Sequence, residues 1–247
     1  MLSVQQKFLS ILVAVTLLAW LWEGIAWNAE DIESLVLKGA FRGAIQTYGD
    51  CNTLTANEYY FLAVCYLEIG DLKSAETILQ RLLSSSEKER SLLTLAQLKN
   101  AEGSFSESEK FFRQFISEFP KSPHQPAGLF GLSEVLFQKK STTEGVEILR
   151  RLRRNYPLSS EAEKSIEVLN RELGPFAVQV GAFSEMARAE KVRDDLIAKG
   201  YDAYIVRSAE TSLIYRVRFG NFKDGKKAES VGQALKAATG LDFRVVR

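Results

Sequence analysis

The chain has 247 residues, 46% apolar and 26% charged, a balance that fits a globular protein of one or two cored domains. Its 32 basic and 31 acidic residues leave a net charge of +1, so overall charge does not draw it to nucleic acid. A single histidine and two cysteines form no metal-ligand pattern, and neither a metal, a cofactor nor catalysis is expected.

Lys7 precedes an uncharged run from Phe8 to Trp22. As a helix its 15 residues reach about 22 Å, short of the ~30 Å hydrocarbon core. Gly24 and Ala26 stand at positions −3 and −1 of a cleavage after Ala26, the grammar of a secretory signal peptide. Trp20, Trp22 and Trp27 crowd the far end of the run, which suits an uncleaved membrane anchor instead. Residues 1–27 therefore read as signal or anchor, and both place everything after about Asn28 outside the cytoplasm. The run is too apolar on every side for a core helix, and no lipobox cysteine follows it. Cys51 and Cys65 can pair in an oxidising compartment; alternatively Cys65 packs in its helix as a small hydrophobe.

From about residue 30 to 172 the apolar residues keep helical spacing. Capping boxes are expected at Thr55/Glu58, Ser86/Glu89, Ser104/Glu107, Ser141/Glu144 and Ser160/Glu163. Turns fall at Gly39, Gly70, Gly103 and Lys140, spaced by 31, 33 and 37 residues. One unit reads Tyr59, Leu62, Ala63, Tyr66, Gly70, Ala75, Leu79. The next keeps Leu92, Leu95, Ala96, Gly103, Ser108 and Phe112, and a third keeps Leu129, Leu132, Ser133, Gly145 and Leu149 with Lys140 where glycine is usual. This period and pattern resemble tetratricopeptide (TPR) repeats. The resemblance implies an array of helical hairpins whose groove holds a protein partner; a plain spacer is the alternative.

Gly174-Pro175 ends the helical region, and 175–247 is read as a separate domain with 13 basic against 9 acidic residues. Val178, Gly181, Phe183, Ala189, Val192 and Leu196 recur 39 residues later as Val217, Gly220, Phe222, Ala228, Val231 and Leu235. Each copy runs strand, Gly-x-Phe turn, helix, Gly turn, strand. Strands are expected at 176–182, 203–207, 213–219 and 243–246, helices at about 185–199 and 225–238. The fold class is thus α+β: an all-α repeat array followed by a βαββαβ domain, with a four-stranded antiparallel sheet and both helices on one face.

Strand alternation puts Gln179, Tyr204, Ile214, Arg216, Arg218 and Arg244 on the other, open face. An amide, a phenol and three guanidiniums there can bond sugar hydroxyls, acetamido groups and carboxylates. The stretches Phe176-Ala177-Val178-Gln179-Val180-Gly181-Ala182-Phe183 and Tyr215-Arg216-Val217-Arg218-Phe219-Gly220-Asn221-Phe222 resemble the SPOR family of bacterial peptidoglycan-binding modules. The resemblance implies binding to glycan strands stripped of stem peptides, at the division septum of the periplasmic cell envelope. It also implies contacts from Gln179, from a small polar residue three positions on, and from an aromatic on the third strand. Here the latter two positions are Ala182 and Ile214. Membrane contact is expected only through the N-terminal anchor, and nucleic acid is not an expected partner. The basic face shares its topology with RNA-binding domains but lacks their paired aromatics. Gly220 to Lys226 mimics a phosphate-binding loop, yet Lys227 stands where Ser or Thr must hold magnesium.

Overall fold

A computed structural model describes residues 31–208 and 213–247. The apolar run Phe8–Trp22 and its cleavage site lie outside the described residues. Among the described residues no helix is long and apolar enough to cross a membrane. The chain divides into two compact units, Met1–Ile78 and Leu79–Arg247.

The first unit holds α1 (Ile32–Leu37), α2 (Phe41–Tyr48), α3 (Ala56–Glu68) and the start of α4 (Leu72–Leu82). Its core gathers Ile32, Ala44, Leu62 and Cys65. Thr55 forms the expected capping box: its hydroxyl accepts from Glu58 N, while its own N–H donates to Glu58 Oε2 at 2.7 Å. Both cysteines are free. Cys65 is fully buried as a small hydrophobe, and burial pushes its thiol pKa up, so the pairing alternative is not realised.

The second unit begins with the end of α4 and continues through α5 (Lys88–Ala101), α6 (Phe105–Glu118), α7 (Gln125–Gln138), α8 (Thr142–Asn155) and α9 (Ser160–Leu173). Small residues let these helices approach closely. A Cβ on Gly128 or Gly131 of α7 would strike the rings of Phe115 or Phe112 of α6, at 2.6 and 2.3 Å. Ser108 Oγ donates to Ala96 O across the α5–α6 pair, so this buried hydroxyl is satisfied.

The other expected capping boxes do not form. Helix α5 starts two residues after Ser86, with Glu87 at its cap. Ser104 and Ser141 cap α6 and α8 by position, but their backbones (ψ 58° and 54°) give no side-chain cap bond. Glu144 is drawn instead to Arg113, 2.6 Å away on the preceding hairpin. At α9 the cap is Ser159, one residue earlier than expected, accepting from Ala162 N. Lys140 takes the left-handed turn that glycine takes at 70 and 103, with φ of 61°. For a non-glycine residue that conformation costs about 1–2 kcal/mol.

The chain then forms β1 (Phe176–Phe183), α10 (Met186–Ala198), β2 (Ala203–Ser208), β3 (Ile214–Phe222), α11 (Gly225–Thr239) and β4 (Arg244–Val246). The four strands pair antiparallel in the order β2-β3-β1-β4. The register shifts between Gln179 and Gly181, which keeps both Gln179 and Ala182 on the outer face. Helices α10 and α11 cover the inner face, packing Ala189, Leu196 and Leu235 against Val178, Val217 and Phe219. Both Gly-x-Phe turns have one cause: each phenylalanine ring folds back onto its glycine, leaving no room for a Cβ at Gly181 or Gly220.

The outer face departs from expectation. Helix α8 packs on β2 and α9 on β3, opposite α10 and α11, so this part of the unit has three layers. The face read as open is roofed over β2 and β3.

Candidate ligand-binding face of the sheet

The strand registers place four candidates in one line across the sheet. Tyr204 of β2 pairs with Arg218 of β3, Arg218 with Gln179 of β1, and Gln179 with Arg244 of β4. Arg218 Nε donates to Gln179 Oε1 at 3.2 Å. Arg216 lies on a parallel line with Ala182 and Val206, and Ile214 with Ser208. All six candidates thus share one face, as the alternation predicts.

Their exposure differs sharply. Arg244 and Ala182 are exposed; Arg216, Arg218 and Ile214 are half-buried. Gln179 and Tyr204 are buried, at 5% and 2% exposure, which corrects their reading as open sugar contacts. The reason for Tyr204 is Arg153 of α8, whose guanidinium carbon lies 3.8 Å from the ring centroid. Arg153 Nη2 also sits 3.2 Å from Asp202 Oδ2. Arg150 Nε lies 3.0 Å from the same oxygen, close enough for an ion pair but not aligned for a hydrogen bond.

Burial sets the electrostatics of this contact. It pushes the Arg153 guanidinium below its ordinary pKa, opposed by Tyr204 and Asp202. Burial raises the Tyr204 phenol, opposed by Arg153 and Arg218, so Tyr204 stays a neutral donor at neutral pH. Arg218 is lowered, first by burial and then by the charges of Arg216 and Arg244, against the pull of Tyr204. Arg153 Nε and Nη1 and Asn221 Oδ1 are buried without a hydrogen-bond partner among the described residues. Each such group costs on the order of 1–3 kcal/mol.

The second joint lies at the foot of α9. Asn221 Nδ2 donates to Asn170 Oδ1 at 2.8 Å. Gly174, with φ of 136°, runs so close to the Phe222-Lys223 peptide that a Cβ would come within 2.3 Å of it. Arg150, Arg153, Asp202, Asn170 and Asn221 make these contacts on the candidate face, and the sequence reading missed them. One signal was present: Arg153 follows Leu149 by four residues, within the apolar stripe of α8, where a charge needs a reason.

At the phosphate-loop mimic, Asp224 caps α11 and accepts from Lys226 N at 2.9 Å. A carboxylate thus occupies the helix N-terminus that a phosphate would need. On the helical array, α5, α7 and α9 present a cleft of about 300 Å³ lined by Gln97, Asn100, Phe130, Glu134, Glu161 and Lys164.

A hairpin array followed by a sheet with a line of hydrogen-bonding side chains defines a modular binding protein. Residues 172–247 match the SPOR domain family, and residues 59–86 and 127–159 match the tetratricopeptide repeat family. The chain carries TPR repeats followed by a C-terminal SPOR domain, and with them a binding role associated with the cell envelope. No curated protein matches it. Among solved structures it is similar to MamA, at 16% identity and a TM-score of 0.47, over 60% of this chain and 86% of that one. It is also similar to pilF of Pseudomonas aeruginosa, at 19% identity and a TM-score of 0.42, over 90% of this chain and 88% of that one. Likeness at this depth carries no functional weight.

Proposed function

We propose that this is a non-catalytic protein of the bacterial envelope that binds peptidoglycan glycan strands lacking stem peptides. Residues 1–27 export it or hold it in the inner membrane, and the glycan brings it to the division septum. The observation that carries the reading is the line Tyr204–Arg218–Gln179–Arg244 across all four strands. An extended polymer with a hydroxyl or acetamido group on every ring needs such a line of mixed donors and acceptors. Arg244 is the accessible end of that line and makes first contact, with the half-buried Arg216 on the neighbouring line two strands away.

The test is cosedimentation of the purified protein with sacculi, either amidase-treated to remove stem peptides or untreated. Preferential binding to the treated sacculi is expected, reduced at least tenfold by Arg216→Ala with Arg244→Ala. Equal binding to both, or to neither, overturns the reading.

A second reading makes the array the working surface, a scaffold for a protein partner. It is supported by the α5–α7–α9 cleft, where Phe130 is flanked by Glu134 and Lys164. Both readings hold together in one chain: the sheet anchors and the array recruits.

A further inference from the structure

The same face that carries the glycan reading is partly occupied by the chain itself. We propose that α8 and α9 form a hinged cover over the β2–β3 half of the face, so that lifting them strengthens glycan binding. This rests on the glycan reading of the sheet.

Three observations point to a cover rather than a permanent layer. Among the described residues the buried cores of the helical array and of the SPOR domain form two separate clusters, with no single apolar cluster across the joint. The contact over Tyr204 is polar and poorly satisfied. One carboxylate, Asp202, serves both Arg150 and Arg153, and two nitrogens of the buried Arg153 find no hydrogen-bond partner among the described residues. Lasting interfaces leave few such groups, because water would satisfy them all once the joint opens.

The joint is also uneven along its length. At the Gly174 end it is tight, held by the Asn170–Asn221 bond and by backbone packed on backbone. At the Pro157 end a small cleft separates α9 from β2, lined by Ala162 and Ile166 on one side and Val206 on the other. A tight end and a loose end make a hinge at Gly174–Pro175, with the largest movement over Tyr204.

The physical consequence is a competition. Arg153 stacks on Tyr204, the ring best suited to lie against a sugar. Glycan and Arg153 cannot both occupy that ring. A partner that engages the array and draws α8 away would thereby load the sheet, which couples the two modules through one contact.

The test uses the full chain with Arg150→Glu and Arg153→Glu together, which set two carboxylates against Asp202. Amide hydrogen exchange reports opening at β2 and integrity at β1 and α11. Cosedimentation with amidase-treated sacculi reports affinity. Faster exchange at β2 with unchanged β1 and α11, and binding at least fivefold tighter than wild type, is the expected result. Faster β2 exchange with equal or weaker binding overturns the cover, and weaker binding would make α8 part of the site. Unchanged β2 exchange also overturns it, because a contact that survives charge reversal is a fixed layer. If neither protein binds treated sacculi although β2 opens, the glycan reading itself has failed.

Discussion

The two 39-residue copies within the SPOR domain invite comparison, because their residues correspond while their surroundings do not. Gln179 and Arg218 are equivalent positions and bond to each other at the centre of the face. Tyr204 and Arg244 correspond on the outer strands, yet Tyr204 is buried under Arg153 and Arg244 is exposed. Asp202 and Asp242 correspond too. The first holds two arginines of α8; the second meets Lys236 of its own copy at 2.7 Å. The turns differ in the same way. Gly174 abuts the Phe222-Lys223 peptide, and Asn221 beside it is half-buried where the equivalent Ala182 of the first copy is exposed. Duplication reproduces a unit's internal packing, but the helical array meets β2 of one copy and the β3–α11 turn of the other.

The sharpest way to break the comparison is at the turn that Gly174 abuts. Gly174→Ala forces a Cβ onto the Phe222-Lys223 backbone at a positive φ, and backbone cannot step aside as a side chain can. Denaturant unfolding should show a loss of about 3–5 kcal/mol. Ser184→Ala in the matching turn should leave the midpoint where it is.

The Gly-x-Phe glycines give a finer contrast. Both meet a phenylalanine ring, at 2.6 Å for Gly181 and 2.4 Å for Gly220, but only Gly220 has a positive φ, of 74°. Gly181→Ala should cost about 2 kcal/mol from overpacking, and Gly220→Ala about 1–2 kcal/mol more. Equal losses in urea melts would mean that ring contact alone sets the requirement.

The paired aspartates come next. Asp202→Asn removes the carboxylate paired with the buried Arg153 and should destabilise the protein by about 2 kcal/mol. Asp242→Asn touches an exposed pair and should not move the thermal midpoint. A matched response from both would show that the α8 joint is already open in solution.

The smallest effect carries the same reasoning to the repeats. Gly70, Gly103 and Lys140 hold the same left-handed turn position, and only the third pays for a side chain there. Lys140→Gly should stabilise the fold by about 1 kcal/mol, the left-handed strain less the added chain entropy of glycine. A loss of stability in thermal melts would show that the Lys140 side chain contributes more than its backbone costs.

What the sequence determined by itself is local and periodic. Helical spacing marked the hairpins, and alternation with a 39-residue echo marked the strands and put all six candidates on one face. These were legible because helix and strand periods are properties of neighbouring residues. The capping boxes were less so. A Ser and a Glu three residues apart supply the chemistry, but at Ser104 and Ser141 the backbone turns into the helix at an angle that withholds the bond. Which candidates meet solvent was decided only in three dimensions. Nothing near Tyr204 in the chain announces Arg153, fifty-one residues earlier, whose guanidinium covers its ring. Exposure depends on what a folded neighbour brings to a surface, and the neighbour here is the chain's own helical array.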